Sequence, residues 1–347
     1  MRHSIIPLFI PHVGCPHRCV FCNQVRITGE TTPVTAFEVE TKIRQYVETA
    51  AEPRRWEAAF YGGSFTALPC SVMEALLRPA TEALRRGDIQ GIRLSTRPDC
   101  IDEERLSLLK RCGAETVELG VQSLDDAVLS AAERGHTADD VRRAVSLLRA
   151  FGFRVGLQFM QGLPGETWSS LRRTARRGMA LSPDFIRLYP VLVLADTKLG
   201  DDFQKGNYRP LSLAAAVVRC AFLKRAFSRR GIPVIRMGLQ ATEELDDAET
   251  LLAGPYHPAF GELVDQYVAR HALRKALRLF RGETEMEIVC APCDRSKLSG
   301  HRKSTQMALE KESSARFRFR EERGIVPGTC RLVGGSGRET VIVFEER

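Results

Sequence analysis

The stretch SIIPLFIPHVGCPHRCVFCNQ, residues 4–24, joins an apolar run to three cysteines, Cys15, Cys19 and Cys22, spaced C-x3-C-x2-C. The run is dense in Ile, Leu and Phe and stops at a polar segment punctuated by Pro and Gly, as a buried strand followed by a loop does. The unit recurs. Further strand candidates are WEAAFYG, GIRLSTR, TVELGV, FRVGLQFM, FIRLYP and IPVIRM. Between them lie amphipathic helical patterns such as FEVETKIRQYVETA, SVMEALLRPATEALRR and ADDVRRAVSLLRAFG, several of which end at a glycine: Gly87, Gly113, Gly152, Gly231. The alternation predicts an α/β chain: a partial (β/α)6-type TIM barrel over residues 1–240, with a C-terminal α+β extension over 241–347.

In such a barrel the chemistry collects in the loops that follow the strands. The unusual segments fall there. The cysteine loop follows the first strand, GGSF (62–65) the second, TRPD (96–99) the third, GVQS (120–123) the fourth and QGLPGE (161–166) the fifth. Past residue 240 the rhythm gives way to a helical stretch, ELVDQYVARHALRKALRLF, and a strand candidate, EMEIVCA. A closing pair, TCRLVG and ETVIVFEE, flanks GGSG, which reads as a hairpin turn because no helix follows Gly337.

The chain has 347 residues, 44% hydrophobic and 27% charged, and no run approaches the about 18 apolar residues of a membrane span. SIIPLFIP is too short for a signal-peptide core and is broken by Pro7 and Pro11. A cytoplasmic protein with no membrane partner is expected. In that reducing compartment the clustered thiols among the ten cysteines read as metal ligation or catalysis, while Cys70, Cys100, Cys112, Cys220 and Cys330 are scattered core or surface thiols. A net charge of +8 favours a polyanionic partner.

Four thiolates hold a 4Fe-4S cubane in electron carriers, so three leave one iron open to an amino group and a carboxylate. S-adenosylmethionine (SAM) docks in that way in radical SAM enzymes, whose signature the C-x3-C-x2-C loop resembles. The resemblance implies Cys15, Cys19 and Cys22 as cluster ligands and Phe21 beside the adenine. Two adjacent glycines let a backbone approach a ligand closely. The resemblance makes Gly62 and Gly63, with Ser64, the grip on the methionyl amino group. By similarity to oxygen-independent coproporphyrinogen oxidase, Gln122 reaches the ribose and Arg134 pairs with the SAM carboxylate, as a guanidinium fork can. Ser95 and Gln158 stand where that relative carries acidic groups. The alternatives are a structural zinc with His17 or His12 as fourth ligand, a plain turn at Gly62 and Gly63, an exposed helix arginine at 134, and a helix cap at Ser123.

The blocks IPLFIPHVGCPHRCVFCNQ, YGGSFTALP, STRPD, VELGVQSLDD, ERGHTADDV, MQGLPGE, FIRLYPVLVLADTKL and AGPYHPAFGELV span about residues 5 to 265. On them the chain resembles the radical SAM half of the Elongator catalytic subunit, Elongator subunit 3, and its shorter bacterial relatives. The resemblance implies reduction of a 4Fe-4S cluster by a flavodoxin- or ferredoxin-like electron donor, cleavage of SAM to a 5′-deoxyadenosyl radical, and hydrogen abstraction from a substrate. That substrate would be RNA, with the wobble uridine of tRNA as the candidate. Two departures stand out. Elongator's subunit spaces its first two cluster cysteines farther apart, and it continues into an acetyl-CoA-dependent domain for which the roughly eighty residues after AGPYHPAFGELV leave no room. A radical enzyme acting on a small molecule such as a tetrapyrrole, and a non-catalytic SAM- or RNA-binding protein, are the alternative readings.

Basic residues cluster at Arg172, Arg173, Arg176 and Arg177, at Arg270, Arg274, Lys275, Arg278 and Arg281, and at Lys297, Arg302 and Lys303. They read as solvated faces or as a surface that tracks phosphates. ARFRFRE (315–321) predicts an outer strand with arginines on one side and phenylalanines on the other. CAPC, Cys290 to Cys293, would hold a second metal only if the fold adds ligands such as Cys330 or His301.

Overall fold

Apolar residues at every second position of each strand put one side of the first sheet against helices. In chain order, β1 (Arg2–Ile10) leads to α1 (Ala36–Glu48), β2 (Arg54–Gly62) to α2 (Cys70–Arg86), and β3 (Gly91–Thr96) to α3 (Glu103–Arg111). Then β4 (Ala114–Gln122) leads to α4 (Asp126–Ala131) and α5 (Ala138–Ala150), β5 (Arg154–Gln161) to α6 (Trp168–Ala180), and β6 (Phe185–Pro190) follows. The six strands pair in sequence order and every pairing is parallel. This is the expected partial (β/α)6 barrel. The structure is a computed structural model and describes residues 2–10, 15, 17–23, 34–52, 54–239, 247 and 249–345.

The helix-facing side carries Ile6 and Leu8, Ala58 and Phe60, Ile92 and Leu94, Val117 and Leu119, Leu157 and Phe159, and Ile186 and Leu188, all buried. The helices start where their sequences say they should. Thr35 with Glu38 and Thr137 with Asp140 form capping boxes that satisfy first-turn donors of α1 and α5. Gly87, Gly113, Gly152 and Gly231 all take the positive φ of a chain leaving a helix. The opposite side of the same strands is polar, with Glu57 and Tyr61, Arg93 and Ser95, Glu118, Gln158, and Arg187 and Tyr189 at alternate positions. These charges are buried as pairs. Arg93 bridges Glu57 at 2.8 Å and Glu118 at 3.1 Å, Arg187 reaches Glu118 at 2.7 Å, and the Tyr61 hydroxyl takes a 2.7 Å hydrogen bond from Arg187.

Two compact units interleave along the chain: Met1–Leu211 with Leu239–Pro255, and Ser212–Gly238 with Tyr256–Arg347. The first unit also holds β7 (Val193–Leu194) and α7 (Lys198–Gln204). The second begins with α8 (Leu213–Ser228) and β8 (Val234–Met237); the chain then returns to the first for β9 (Leu251–Ala253), which pairs antiparallel with β7. From α9 (Phe260–Leu277) onward it stays in the second unit, through β10 (Glu285–Cys290), α10 (Arg295–Ser299), α11 (Ser304–Ser313), β11 (Arg316–Glu321), β12 (Thr329–Gly334) and β13 (Glu339–Val343). α8 joins this unit because it packs against α9.

The second unit's sheet has the order β11-β10-β12-β13, with β12 and β13 forming the antiparallel hairpin around GGSG. Its core combines Ala269 and Leu273 of α9 with Ile288, Phe317 and Leu332 of the sheet. β11 is an edge strand that exposes Arg316, Arg318 and Arg320 and turns Phe317 inward. Glu345 accepts hydrogen bonds from Lys224 at 2.8 Å and Lys297 at 2.6 Å, tying the chain after β13 to α8 and α10. Among the described residues no helix is long and apolar enough to cross a membrane.

Candidate functional site

The cysteine loop lies at the end of β1, and its described residues are held by the loops beyond the next strands. Val20 donates to the carbonyl of Ala132 at 3.3 Å and accepts from Leu199 at 2.7 Å, which pins the loop between the end of α4 and the start of α7. Phe21 packs half-buried against the apolar cluster of Val20, Val128, Ala132, Leu163 and Val191. None of the ten cysteines is in a disulfide; Cys19 is buried and Cys15 and Cys22 are partly covered. Residues 11–14 and 16 lie outside the described residues, and His12 with them.

Gly62 and Gly63 bring the β2 loop against the end of β1. Gly62 has φ +103°, and a Cβ there would sit 2.9 Å from the carbonyl oxygen of Ile10, while the amide of Gly63 donates to that same oxygen at 2.7 Å. Any side chain at 62 would collide and be strained. The backbone amide of Ser64 donates to the Cys15 thiol. Burial pushes that thiol's pKa up, against the pull of this hydrogen bond and of Arg97. The Ser64 hydroxyl bonds Thr96 at 3.0 Å and accepts from the amide of Arg97 at 3.3 Å, and Thr66 bonds Thr96 at 2.6 Å. A chain of buried hydroxyls thus couples the β2 and β3 loops.

Arg134 is buried, with Nη1 2.9 Å from the Sγ of Cys19 and Nη2 donating to the carbonyl of Gly120 at 2.6 Å. Arg97 joins it. Its Nη1 is 4.0 Å from the same sulfur, its Nε and Nη2 clamp Asp99 at 3.0 Å, and Nη2 also donates to the carbonyl of Arg134. His136 is buried beside them, and burial together with Arg134 and Arg97 lowers its pKa to about 4. Arg134 Nε and His136 Nδ1 are buried with no hydrogen-bond partner among the described residues.

Gln122 ends β4 at a bulge with φ 63°, and its Oε1 accepts from Gln158 Nε2 at 3.3 Å. Ser95 is half-buried on β3, in register with Glu118. The structure therefore gathers Cys15, Cys19, Gly62 to Ser64 and Arg134 tightly, pairs Gln122 with Gln158, sets Phe21 on the loop's apolar side, and leaves Ser95 toward Glu118.

His17 comes within 4.0 Å of Asp99 and lies over Gly135. Among the described residues no three His, Cys, Asp or Glu side chains gather as one metal ion would require. A cubane, with its irons at separate corners, keeps its thiols apart. CAPC does not converge. Cys290 is buried and faces Cys330 across the β10 and β12 pairing, but Cys293 is exposed, and burial raises the pKa of Cys290 to about 11 and that of Cys330 to about 12.

Arg97, Asp99 and His136 are site residues that the motif reading did not single out, although TRPD and ERGH stand in the post-strand loops where such residues belong. Cys100 is another, since its thiol hydrogen-bonds the Ser64 side chain while burial raises its pKa. Other basic residues have structural work. Arg173 pairs with Asp125, Arg177 donates to the carbonyl of Leu124, Arg270 and Arg274 pair with Glu312, and Lys297 pairs with Glu345.

Residues 9–178 match the family model described as the radical SAM superfamily, and residues 183–270 that of the radical SAM C-terminal domain. An uncharacterized protein of Methanocaldococcus jannaschii is 29% identical over 217 residues, 57% of this chain and 64% of that one. A tRNA uridine(34) acetyltransferase of the same organism is 23% identical over 312 residues, covering 78% of this chain and 56% of the enzyme. The chain thus spans between half and two thirds of the length of these curated relatives. Among solved structures, an Elp3 of the archaeon Methanocaldococcus infernus with an N-terminal deletion superposes with a TM-score of 0.61 at 20% identity, over 79% of this chain and 65% of that chain.

Proposed function

The chain belongs to the radical SAM superfamily, and from that premise we propose that it is an enzyme that binds a 4Fe-4S cluster and SAM at the mouth of its partial barrel and acts on tRNA. The observation that carries the reading is the convergence of the cysteine loop with Gly62 to Ser64 and with Arg134 at the C-terminal ends of β1, β2 and β4. The donor set fits. Cys15, Cys19 and Cys22 are unbridged thiols on one loop, and two guanidiniums stand ready to offset thiolate charge at Cys19. The orphaned Arg134 Nε leaves a buried donor for an anionic group.

When bound, the cluster and SAM would supply reductive cleavage of the sulfonium to a 5′-deoxyadenosyl radical. The chain's own residues position and shield. Gly62 and Gly63 keep the β2 loop slim enough for a ligand's amino group to reach backbone carbonyls. Gln122 and Gln158 offer amide groups for ribose hydroxyls, and Phe21 offers an apolar wall. The hydroxyl chain through Ser64, Thr96 and Thr66 fixes the loops against one another, which is the preorganisation a short-lived intermediate demands. RNA as substrate is supported by the tRNA-modifying relative and by the basic surface, and a flavodoxin- or ferredoxin-like protein is the expected electron donor in the cytoplasm.

Anaerobic reconstitution tests the reading. The wild-type protein is expected to bind iron and sulfide and to release methionine and 5′-deoxyadenosine with dithionite, and Cys19→Ala to do neither. Isotope transfer from labelled tRNA into 5′-deoxyadenosine is expected as well. A loaded wild-type protein that leaves SAM intact sinks the reading.

A further inference from the structure

The second unit contains a small open pocket of about 70 Å³ between the C-terminal half of α8, the middle of α9 and the end of β13. Lys224, Arg225, Ser228, Arg229 and His271 supply its polar wall, and Val268 and Phe344 its apolar one. Its charge is lopsided. The acid in the wall, Glu345, is already taken by Lys224 and Lys297, and Lys224 also holds Asp265 at 2.6 Å. Arg225 and Arg229 stand one helical turn apart on α8 and its C-terminal cap, and neither forms an ion pair or a side-chain hydrogen bond among the described residues. The contrast with α9 is instructive, because Arg270 and Arg274 there are both spent on Glu312.

His271 reports the same imbalance. Its pKa is lowered by burial and then by Arg225, Arg274 and Lys275, with no acid among the causes. The neutral ring keeps one N–H to donate. Two unpaired guanidiniums, a hydroxyl and an imidazole around a small pocket suit a tetrahedral anion of several acceptor oxygens. The cations continue beyond the pocket with Arg230 on the α8 side and Lys275 and Arg278 on the α9 side, all exposed. A lone inorganic ion would not need that extension; a polyanion would.

We propose that this pocket binds a backbone phosphate of RNA, with Arg225 and Arg229 as its primary contacts. The proposal rests on the tRNA reading above and adds to it a named docking point in the second unit, outside the cysteine-loop site. Because phosphate contacts release counterions, each contributes about 0.7 to 0.9 to the slope of log affinity against log salt.

The test is tRNA binding by the full-length protein, followed by fluorescence anisotropy across a salt series. The double substitution Arg225→Gln, Arg229→Gln is expected to weaken binding roughly tenfold and to lower the slope by about one, with the thermal unfolding midpoint unchanged. The pair Arg225→Lys, Arg229→Lys keeps the charge and is expected to keep the slope. If both pairs lose affinity equally, or if the Gln pair binds with the wild-type constant and slope, the pocket proposal is overturned while the tRNA reading stands. If wild-type protein binds no tRNA, both fall. If millimolar inorganic phosphate, and not tRNA, protects the pocket arginines from phenylglyoxal, the site is one for a small anion and the RNA proposal fails.

Discussion

His136 shows how a side chain can matter by staying uncharged. It is 5% exposed, its Nε2 faces the carbonyl of Val121 at 3.3 Å, and burial beside two guanidiniums drops its pKa to about 4 from the ordinary 6.5. The unfolded chain therefore takes up a proton between those values that the folded chain refuses. The stabilisation is complete above pH 6.5 and is lost as pH falls toward 4, amounting to on the order of 3 kcal/mol. In urea titrations of the apoprotein, His136→Asn is expected to flatten the wild-type fall in stability across that window. Equal slopes for both proteins would refute the assignment. The cysteine spacing and the Gly-Gly pair were legible in the sequence because each is a short contiguous pattern. The meeting of Arg97 and Asp99 with Arg134 and His136 was not, since it depends on two loops, after β3 and β4, bending toward one thiol.

At the scale of the element, β2, β3, β4 and β6 each carry one charge inside an apolar run: Glu57, Arg93, Glu118 and Arg187. These four make sense only across strands. Glu118 takes contacts from Arg93, Arg187 and the Tyr61 hydroxyl, and it helps to push the Tyr61 phenol, already raised by burial, up to about 12. Removing it leaves the buried Arg187 without a carboxylate and Arg93 with Glu57 alone. Glu118→Ala is expected to cost about 3 to 5 kcal/mol in denaturant unfolding, whereas Glu115→Ala, at an exposed position of the same strand, is expected to change stability by under about 0.5 kcal/mol. The strands and long helices were readable from periodicity and caps. The pair β7 with β9 escaped because two and three residues show no period, and α4, at six residues, is too short to announce itself.

For the whole molecule, the βα rhythm runs on to Met237, yet Leu213–Ser228 packs with the C-terminal helices because its apolar surface meets α9. A local pattern cannot say which distant helix will cover it. The proposed cofactor site draws on loops far apart in the chain, so a ligand there binds the folded state and not the unfolded one. SAM at a hundred times its Kd is expected to stabilise the reconstituted protein by about 2.7 kcal/mol, read as a rise in the first thermal transition. An unmoved transition at saturating SAM would count against the site. A last consequence follows from the paired charges of the inner sheet, where two carboxylates and two guanidiniums cancel. These four groups leave no net charge on that face of the sheet, so the pull on an anionic guest rests with the loops at the strand ends, where Arg97 and Arg134 stand beside Cys19.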